Sequence, residues 1–181
     1  MKLVLVLGGV RSGKSHFAEK LASRYSAGKP VLYLATGEAT DEEMAERIER
    51  HRAERPEHWL TVESPLKITE AVRNAPVTPV VLLDCLTLLS SNWLLSQEKS
   101  DQESALKLEL EHLLEYLARA ETCLVVVSNE VGMGIVPAYA LGRRYRDMLG
   151  RLNQWLAAQA DLVYLMVAGL PIEITALAER D

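Results

Sequence analysis

Leu3-Val4-Leu5-Val6-Leu7 runs directly into Gly8-Gly9-Val10-Arg11-Ser12-Gly13-Lys14-Ser15, and a helix-compatible segment over residues 14–26 follows. The second stretch has the form G-x-x-x-x-G-K-[ST]. A buried strand before it and a helix after it are the setting in which that spacing works as a phosphate-binding loop. Glycines at 8 and 13 allow a tight turn that points successive N–H groups at phosphate oxygens. Lys14 supplies a mobile cation for the terminal phosphates, and the Ser15 hydroxyl is placed to ligate Mg²⁺. The helix that begins near Lys14 turns the positive end of its dipole toward the same anion. The chain is expected to bind a nucleoside triphosphate.

Further apolar runs of strand length recur at 31–35, 79–83, 124–127 and 162–167, with a shorter one at 59–63. They are rich in Val and Leu without clean alternation, as strands buried on both faces of a parallel sheet are. Helical patterns lie between them at 41–55, 66–73, 86–97, 101–120 and 138–160. Such alternation predicts an α/β fold with a mostly parallel, doubly wound sheet flanked by helices. Thr40-Asp41-Glu42-Glu43 has the form of a capping box, and Ser64-Pro65 reads as a cap followed by the first residue of a short helix. Residues 97–102 form the polar joint between two long helices.

With 181 residues the chain is expected to form one domain, residues 1–181, able to bury a sizeable core. A net charge of −5 argues against a general nucleic-acid or membrane-surface binder, because those need a basic face. The apolar stretch after Met1-Lys2 stops at Gly8, too short for a secretion signal, and no run reaches the length of a membrane span. Cys85 and Cys123 stand alone beside apolar runs, which suggests neither a disulfide framework nor a zinc site. A cytoplasmic location is the expectation.

Three places beyond the loop carry chemistry. Asp84 ends the run Val80-Val81-Leu82-Leu83, where an acid is the expected second Mg²⁺ anchor; an Asp there also serves as a helix N-cap. Met44, Ile48 and His51 share one helical face, and Arg47, Arg50, Arg52 and Arg55 crowd around the histidine. An anion would be welcome there, although Glu46, Glu49 and Glu54 can pair with those arginines, and a histidine ending an apolar stripe can equally be packed in the core. The stretch Ser128-Asn129-Glu130-Val131-Gly132-Met133-Gly134-Ile135-Val136-Pro137 follows another buried strand, so it belongs to the edge where ligands bind, as does Thr36-Gly37.

With these residues assembled, the chain closely resembles the bifunctional adenosylcobinamide kinase/adenosylcobinamide-phosphate guanylyltransferase family of cobalamin biosynthesis. The likeness runs from Leu3 to about Gly169 and rests on motifs in order: the loop, Tyr33-Leu34-Ala35-Thr36, Asp41-Glu42-Glu43-Met44, His51-Arg52-Ala53-Glu54-Arg55-Pro56 with Trp59-Leu60-Thr61-Val62-Glu63, Asp84-Cys85-Leu86-Thr87, and the stretch from Ser128 to Pro137. The resemblance implies phosphorylation of adenosylcobinamide by ATP or GTP. It also implies transfer of GMP from GTP to the product through a covalent histidine adduct, for which His51 is the matching position. GTP contacts implied in the same way are Gly8, Gly9, Val10, Arg11, Ser12, Gly13, Lys14, Ser15, Ala35, Thr36, Gly37, Arg52, Ala53, Glu54, Arg55, Glu63 and Asp84, with Mg²⁺ on Ser15 and Asp84. Relatives are ring-like trimers, so a homotrimer is implied. Two rivals stand beside this: a plain phosphate-loop kinase without nucleotidyl transfer, and a non-catalytic nucleotide switch or assembly ATPase. The latter lacks an N-K-x-D element for guanine here.

Overall fold

The apolar run at the start of the chain forms β1, Leu3–Gly8, and all six of its residues are buried. Alternation sends Leu3, Leu5 and Leu7 into one hydrophobic cluster and Val4 and Val6 into another, so this strand has a core on each face. Burying each such side chain contributes about 1.5–3 kcal/mol, which is why a run with no polar face is stable here. The computed structural model describes residues 1–39, 41–53, 55–96 and 101–179, without the side chains of residues 43 and 47.

After β1 come α1 (Lys14–Ser26), β2 (Val31–Ala35), α2 (Glu42–Ala53), β3 (Leu60–Glu63), α3 (Ile68–Arg73) and β4 (Val80–Asp84). The chain continues through α4 (Leu86–Leu95), α5 (Gln102–Arg119), β5 (Cys123–Asn129), α6 (Ala140–Ala157), β6 (Leu162–Val167) and β7 (Leu170–Glu173). Among the described residues the strands form one seven-stranded sheet in the order β3-β2-β4-β5-β1-β6-β7. All neighbours are parallel except β7, which turns back antiparallel on β6. Ala18, Leu21 and Ala22 of α1 cover one face, and apolar residues of α3, α4, α5 and α6 cover the other. This is the expected doubly wound α/β architecture. The chain leaves β1 toward β2 on one side, while β6 lies on its other side, so a crevice opens at the carboxyl ends around β1.

Several expected boundaries move, each for a local reason. The short helix starts at Ile68, with Lys67 at its N-cap and no side-chain cap, so Ser64 and Pro65 do not begin it. Ser64 N–H donates to the Ala35 carbonyl (2.8 Å), extending the β2–β3 ladder. The Pro65 and Leu66 carbonyls accept from Asn92 Nδ2 (3.1 Å) and Trp93 Nε1 (3.3 Å) of α4, which holds that link out of the helix. Helix α4 ends at Leu95, and α6 starts at Ala140 because Arg143 ties down the Pro137 and Ala138 carbonyls (3.0 and 2.7 Å). Strand β7 was not expected: it is four residues long, carries Pro171 and sits on the sheet edge, where proline is tolerated and no periodicity announces a strand.

Asp41 Oδ1 accepts the Met44 N–H (2.8 Å), so an aspartate caps α2. The expected Thr40 cap lies outside the described residues, as does most of the polar joint at 97–102. That joint ends on Asp101, which caps α5 through Ser104 N–H (3.1 Å). Among the described residues no helix is long and apolar enough to cross a membrane.

Candidate active site

The loop between β1 and α1 is shaped by its backbone. Gly8 has φ +153°, and a Cβ there would stand 2.7 Å from Ser12 Oγ and 2.8 Å from the Met166 carbonyl oxygen, so no larger residue fits. Gly13 has φ +91° and is the N-cap of α1, its carbonyl accepting from Phe17 N–H (3.0 Å). Helix α1 has no side-chain cap and no acidic residue in its first turn, so its amide end is left for an anion. Lys14 is buried, and its Nζ reaches back to the Gly9 carbonyl (2.6 Å), which holds the ammonium across the loop. The loop is braced from outside by the β6–β7 turn, where Gly169 N–H donates to the Ser12 carbonyl (3.1 Å).

A cavity of about 700 Å³ opens above these residues. Val10, Arg11, Lys14 and Ser15 line its floor, Ala35 and Gly37 its β2 side, and Asp84 its β4 side. Helix α2 borders the cavity: Met44, Ile48 and His51 all line it, as their i, i+4, i+7 spacing allows, together with Arg52. None of the described residues of α2 is fully buried. The apolar stripe ending in His51 therefore faces the cavity and not the protein core. Arg55 and Glu63 complete that side.

Asp84 does not cap the next helix. Cys85 holds that position without a side-chain bond, while Asp84 Oδ2 accepts the Tyr33 hydroxyl in a short hydrogen bond. Hydrogen bonds to an ionised group contribute about 1.5–3 kcal/mol. Burial first, then the Asp84 charge and this bond, push the Tyr33 phenol far above its usual range, so it stays a proton donor at any physiological pH. The Arg55 guanidinium lies over the Tyr33 ring, 3.5 Å from its centroid. The Cys85 thiol is pushed up to about 11 by burial and then by the Asp84 charge. It is neutral at working pH and is no nucleophile.

Not every residue expected at the site lines the cavity. Thr36 is fully buried and does not line the cavity: its hydroxyl donates to the Cys85 carbonyl (2.7 Å) and accepts from Cys85 N–H (2.9 Å). With its own N–H on the Asp84 carbonyl (3.2 Å), it fastens the ends of β2 and β4 together and supports the site from behind. Ala53 is exposed at the end of α2, two residues past His51 and so turned away from the cavity. Gly8, Gly9, Ser12 and Gly13 shape the loop from its backbone, outside the cavity lining. Glu54 lies outside the described residues.

Glu130 gives its N–H to the Gly8 carbonyl (3.1 Å), but its carboxylate accepts from Gly132 N–H (2.9 Å) beside a separate hollow. Its neighbour Asn129 is the residue of that stretch that lines the cavity beside Lys14 and Asp84. Sequence reasoning left Tyr33, Thr87 and Asn129 without roles. For Asn129 a signal existed: it ends a buried strand next to β1, as Asp84 ends the strand beyond.

The chain matches the family model described as cobinamide kinase / cobinamide phosphate guanyltransferase over residues 4–174. It belongs to that family. It is 43% identical over 183 residues to the bifunctional adenosylcobalamin biosynthesis protein CobU of Escherichia coli K12, covering 95% of this chain and 99% of that protein. With CobP of Pseudomonas aeruginosa PAO1 it shares 45% identity, covering 94% and 95% of the two chains. With CobU of Salmonella typhimurium LT2 the figures are 40% identity and 95% and 99% coverage. Solved structures similar to it include the flagellar accessory protein FlaH from Methanocaldococcus jannaschii, 13% identical with a TM-score of 0.48, covering 94% of this chain and 74% of that one. At that level of likeness the structure comparison adds nothing to the family membership, which rests on the family model and the sequence relatives. The family is one of bifunctional enzymes, kinase and guanylyltransferase, in adenosylcobalamin biosynthesis, and this chain is one of them.

Proposed function

We propose that the cavity takes GTP with its phosphates on the loop around Lys14, and that His51 carries the guanylyl group as a covalent adduct. The observation that supports this most is that His51 on α2 faces the same cavity as Lys14, Ser15 and Asp84. In the kinase step the side-chain hydroxyl of adenosylcobinamide attacks the γ-phosphorus of ATP or GTP. The β–γ bridging bond breaks toward the nucleoside diphosphate, and the hydroxyl proton passes to solvent. In the guanylyl step a ring nitrogen of His51 attacks the α-phosphorus of GTP and pyrophosphate leaves. A phosphate oxygen of adenosylcobinamide phosphate then attacks the same phosphorus. The N–P bond breaks, the imidazole is restored, and adenosylcobinamide-GDP is formed.

Arg52 and Arg55 line the same cavity as His51 and spread the charge that builds on the transferred phosphoryl oxygens. Lys14 and the N-terminal amides of α1, which carry no side-chain cap, do the same at the terminal phosphates. A hydroxyl on Ser15 and a carboxylate on Asp84, both lining the cavity, are hard oxygen donors that fit Mg²⁺. Bound there, the ion would neutralise phosphate charge. We further propose, from the family resemblance, a homotrimer working in the cytoplasm, with a small corrinoid as substrate and no nucleic-acid partner.

Turnover that depends on the corrinoid tests this reading. Release of ADP or GDP is expected on adding adenosylcobinamide, followed by pyrophosphate when GTP is present. Nucleotide turnover indifferent to the corrinoid sinks it in favour of a switch or assembly ATPase. The metal anchor has its own test. Asp84→Asn should lower Mg²⁺-dependent turnover about 10²–10³-fold, on the scale of removing one group that stabilises developing charge, while nucleotide affinity changes much less because the loop amides remain. Activity and Mg²⁺ requirement equal to wild type would show that Asp84 has no metal role.

A further inference from the structure

Tyr33 touches both halves of this site. It is 2% exposed on β2, packed against Trp59 with ring centroids 6.5 Å apart. Its hydroxyl donates to Asp84 Oδ2, and its ring face carries the Arg55 guanidinium at 3.5 Å. Arg55 has little else to hold it. Its Nη1 reaches Thr61 Oγ1 at 3.2 Å, and its Nε is buried without a hydrogen-bond partner among the described residues. The residue stands just beyond α2, the helix with no fully buried described residue. Asp84, by contrast, ends a strand in the middle of the sheet.

We infer that Tyr33 is a positioning residue for both reactions: its hydroxyl orients the Asp84 carboxylate and its ring face seats Arg55 against the cavity. The hydroxyl engages one carboxylate oxygen and so sets which way the other faces. A planar guanidinium on an aromatic face keeps its edges available for phosphate oxygens, which a carboxylate partner would occupy. One buried ring thereby ties together an arginine and an acid that line the same cavity as His51 and Lys14. The inference rests on the roles proposed above for Asp84 and Arg55.

Two substitutions separate the hydroxyl from the ring. Tyr33→Phe keeps the packing and the face under Arg55 and removes the bond to Asp84. Tyr33→Leu removes both. Binding of Mn²⁺ in the presence of a non-hydrolysable GTP analogue, followed by electron paramagnetic resonance, reads the first effect directly. Tyr33→Phe should weaken it about tenfold, the scale of one hydrogen bond to an ionised group. The Mg²⁺ concentration for half-maximal turnover should rise with it, and the maximal rate should fall much less. The rate of GMP attachment at saturating Mg²⁺ reads the second effect. It should be near wild type in Tyr33→Phe and at least about fivefold slower in Tyr33→Leu, in line with the strength of a partly desolvated cation–π contact. Asp84→Asn in the same Mn²⁺ titration keeps the two claims apart. If Asp84→Asn weakens Mn²⁺ binding and Tyr33→Phe does not, Tyr33 does not position the acid and this inference falls alone. If Asp84→Asn leaves Mn²⁺ binding unchanged, the metal role of Asp84 falls and takes the inference with it. Equal GMP attachment rates in Tyr33→Phe and Tyr33→Leu overturn the ring's part.

Discussion

His51→Ala is expected to abolish both the protein-bound GMP and guanylyl transfer, while phosphorylation of the corrinoid hydroxyl persists at least in part. The loss should be complete within detection, because among the described residues no neighbouring histidine or ionised thiol offers an equivalent nucleophile. Cys85 lines the same cavity, but its thiol is held neutral, and His58 lies beyond Pro56, off the helix that faces the cavity. The fold should survive: His51 is half-buried on a helix with no fully buried described residue, so its removal leaves no core cavity. Phosphoryl transfer to a hydroxyl relies on the loop and needs no covalent carrier. Product analysis of the two half-reactions checks this, and full guanylyl transfer by His51→Ala would favour direct displacement or a plain kinase.

Lys14→Ala is expected to lower both reactions about 10²–10³-fold or more, since both depend on charge stabilisation at the GTP or ATP phosphates. Lys14 is buried, yet its ammonium is held by the Gly9 carbonyl at the end of the loop and does not pack among the apolar side chains of either core cluster. A thermal melt close to wild type together with lost turnover is the expected pair of results. Near-normal corrinoid phosphorylation by the folded variant would refute the assignment of the loop.

The two substitutions also mark how far the sequence reaches. Lys14 was legible because the motif that marks its loop is local: eight consecutive residues and the strand before them identify it, although Gly169 and Glu130 brace it from outside. The strands buried on both faces were legible for the same reason, as continuous runs of Val and Leu. His51 was legible in its direction, since helical spacing puts it in line with Met44 and Ile48, but spacing cannot say whether that stripe meets a core or a cavity. Only the tertiary placement of α2, with Ile48 beside Gly37 and the stripe lining the cavity, decides it. Thr36 shows the opposite limit. It sits at the carboxyl end of a strand, where ligand contacts are expected, yet its hydroxyl is taken by Cys85, 49 residues away. The link from Tyr33 to Asp84 spans 51 residues and has no local signature at all. Pro65 misled because the preference of proline for a first helical turn is weaker than two hydrogen bonds from α4 to the link it occupies.

The most direct measurement is the intact mass of the protein after incubation with GTP and Mg²⁺, followed by peptide mapping. An increase by one GMP is expected, labile in acid and stable in alkali as a phosphoramidate is, located on His51. An unmodified mass in a preparation that still transfers GMP to the corrinoid phosphate, or GMP found on any other residue, would contradict it.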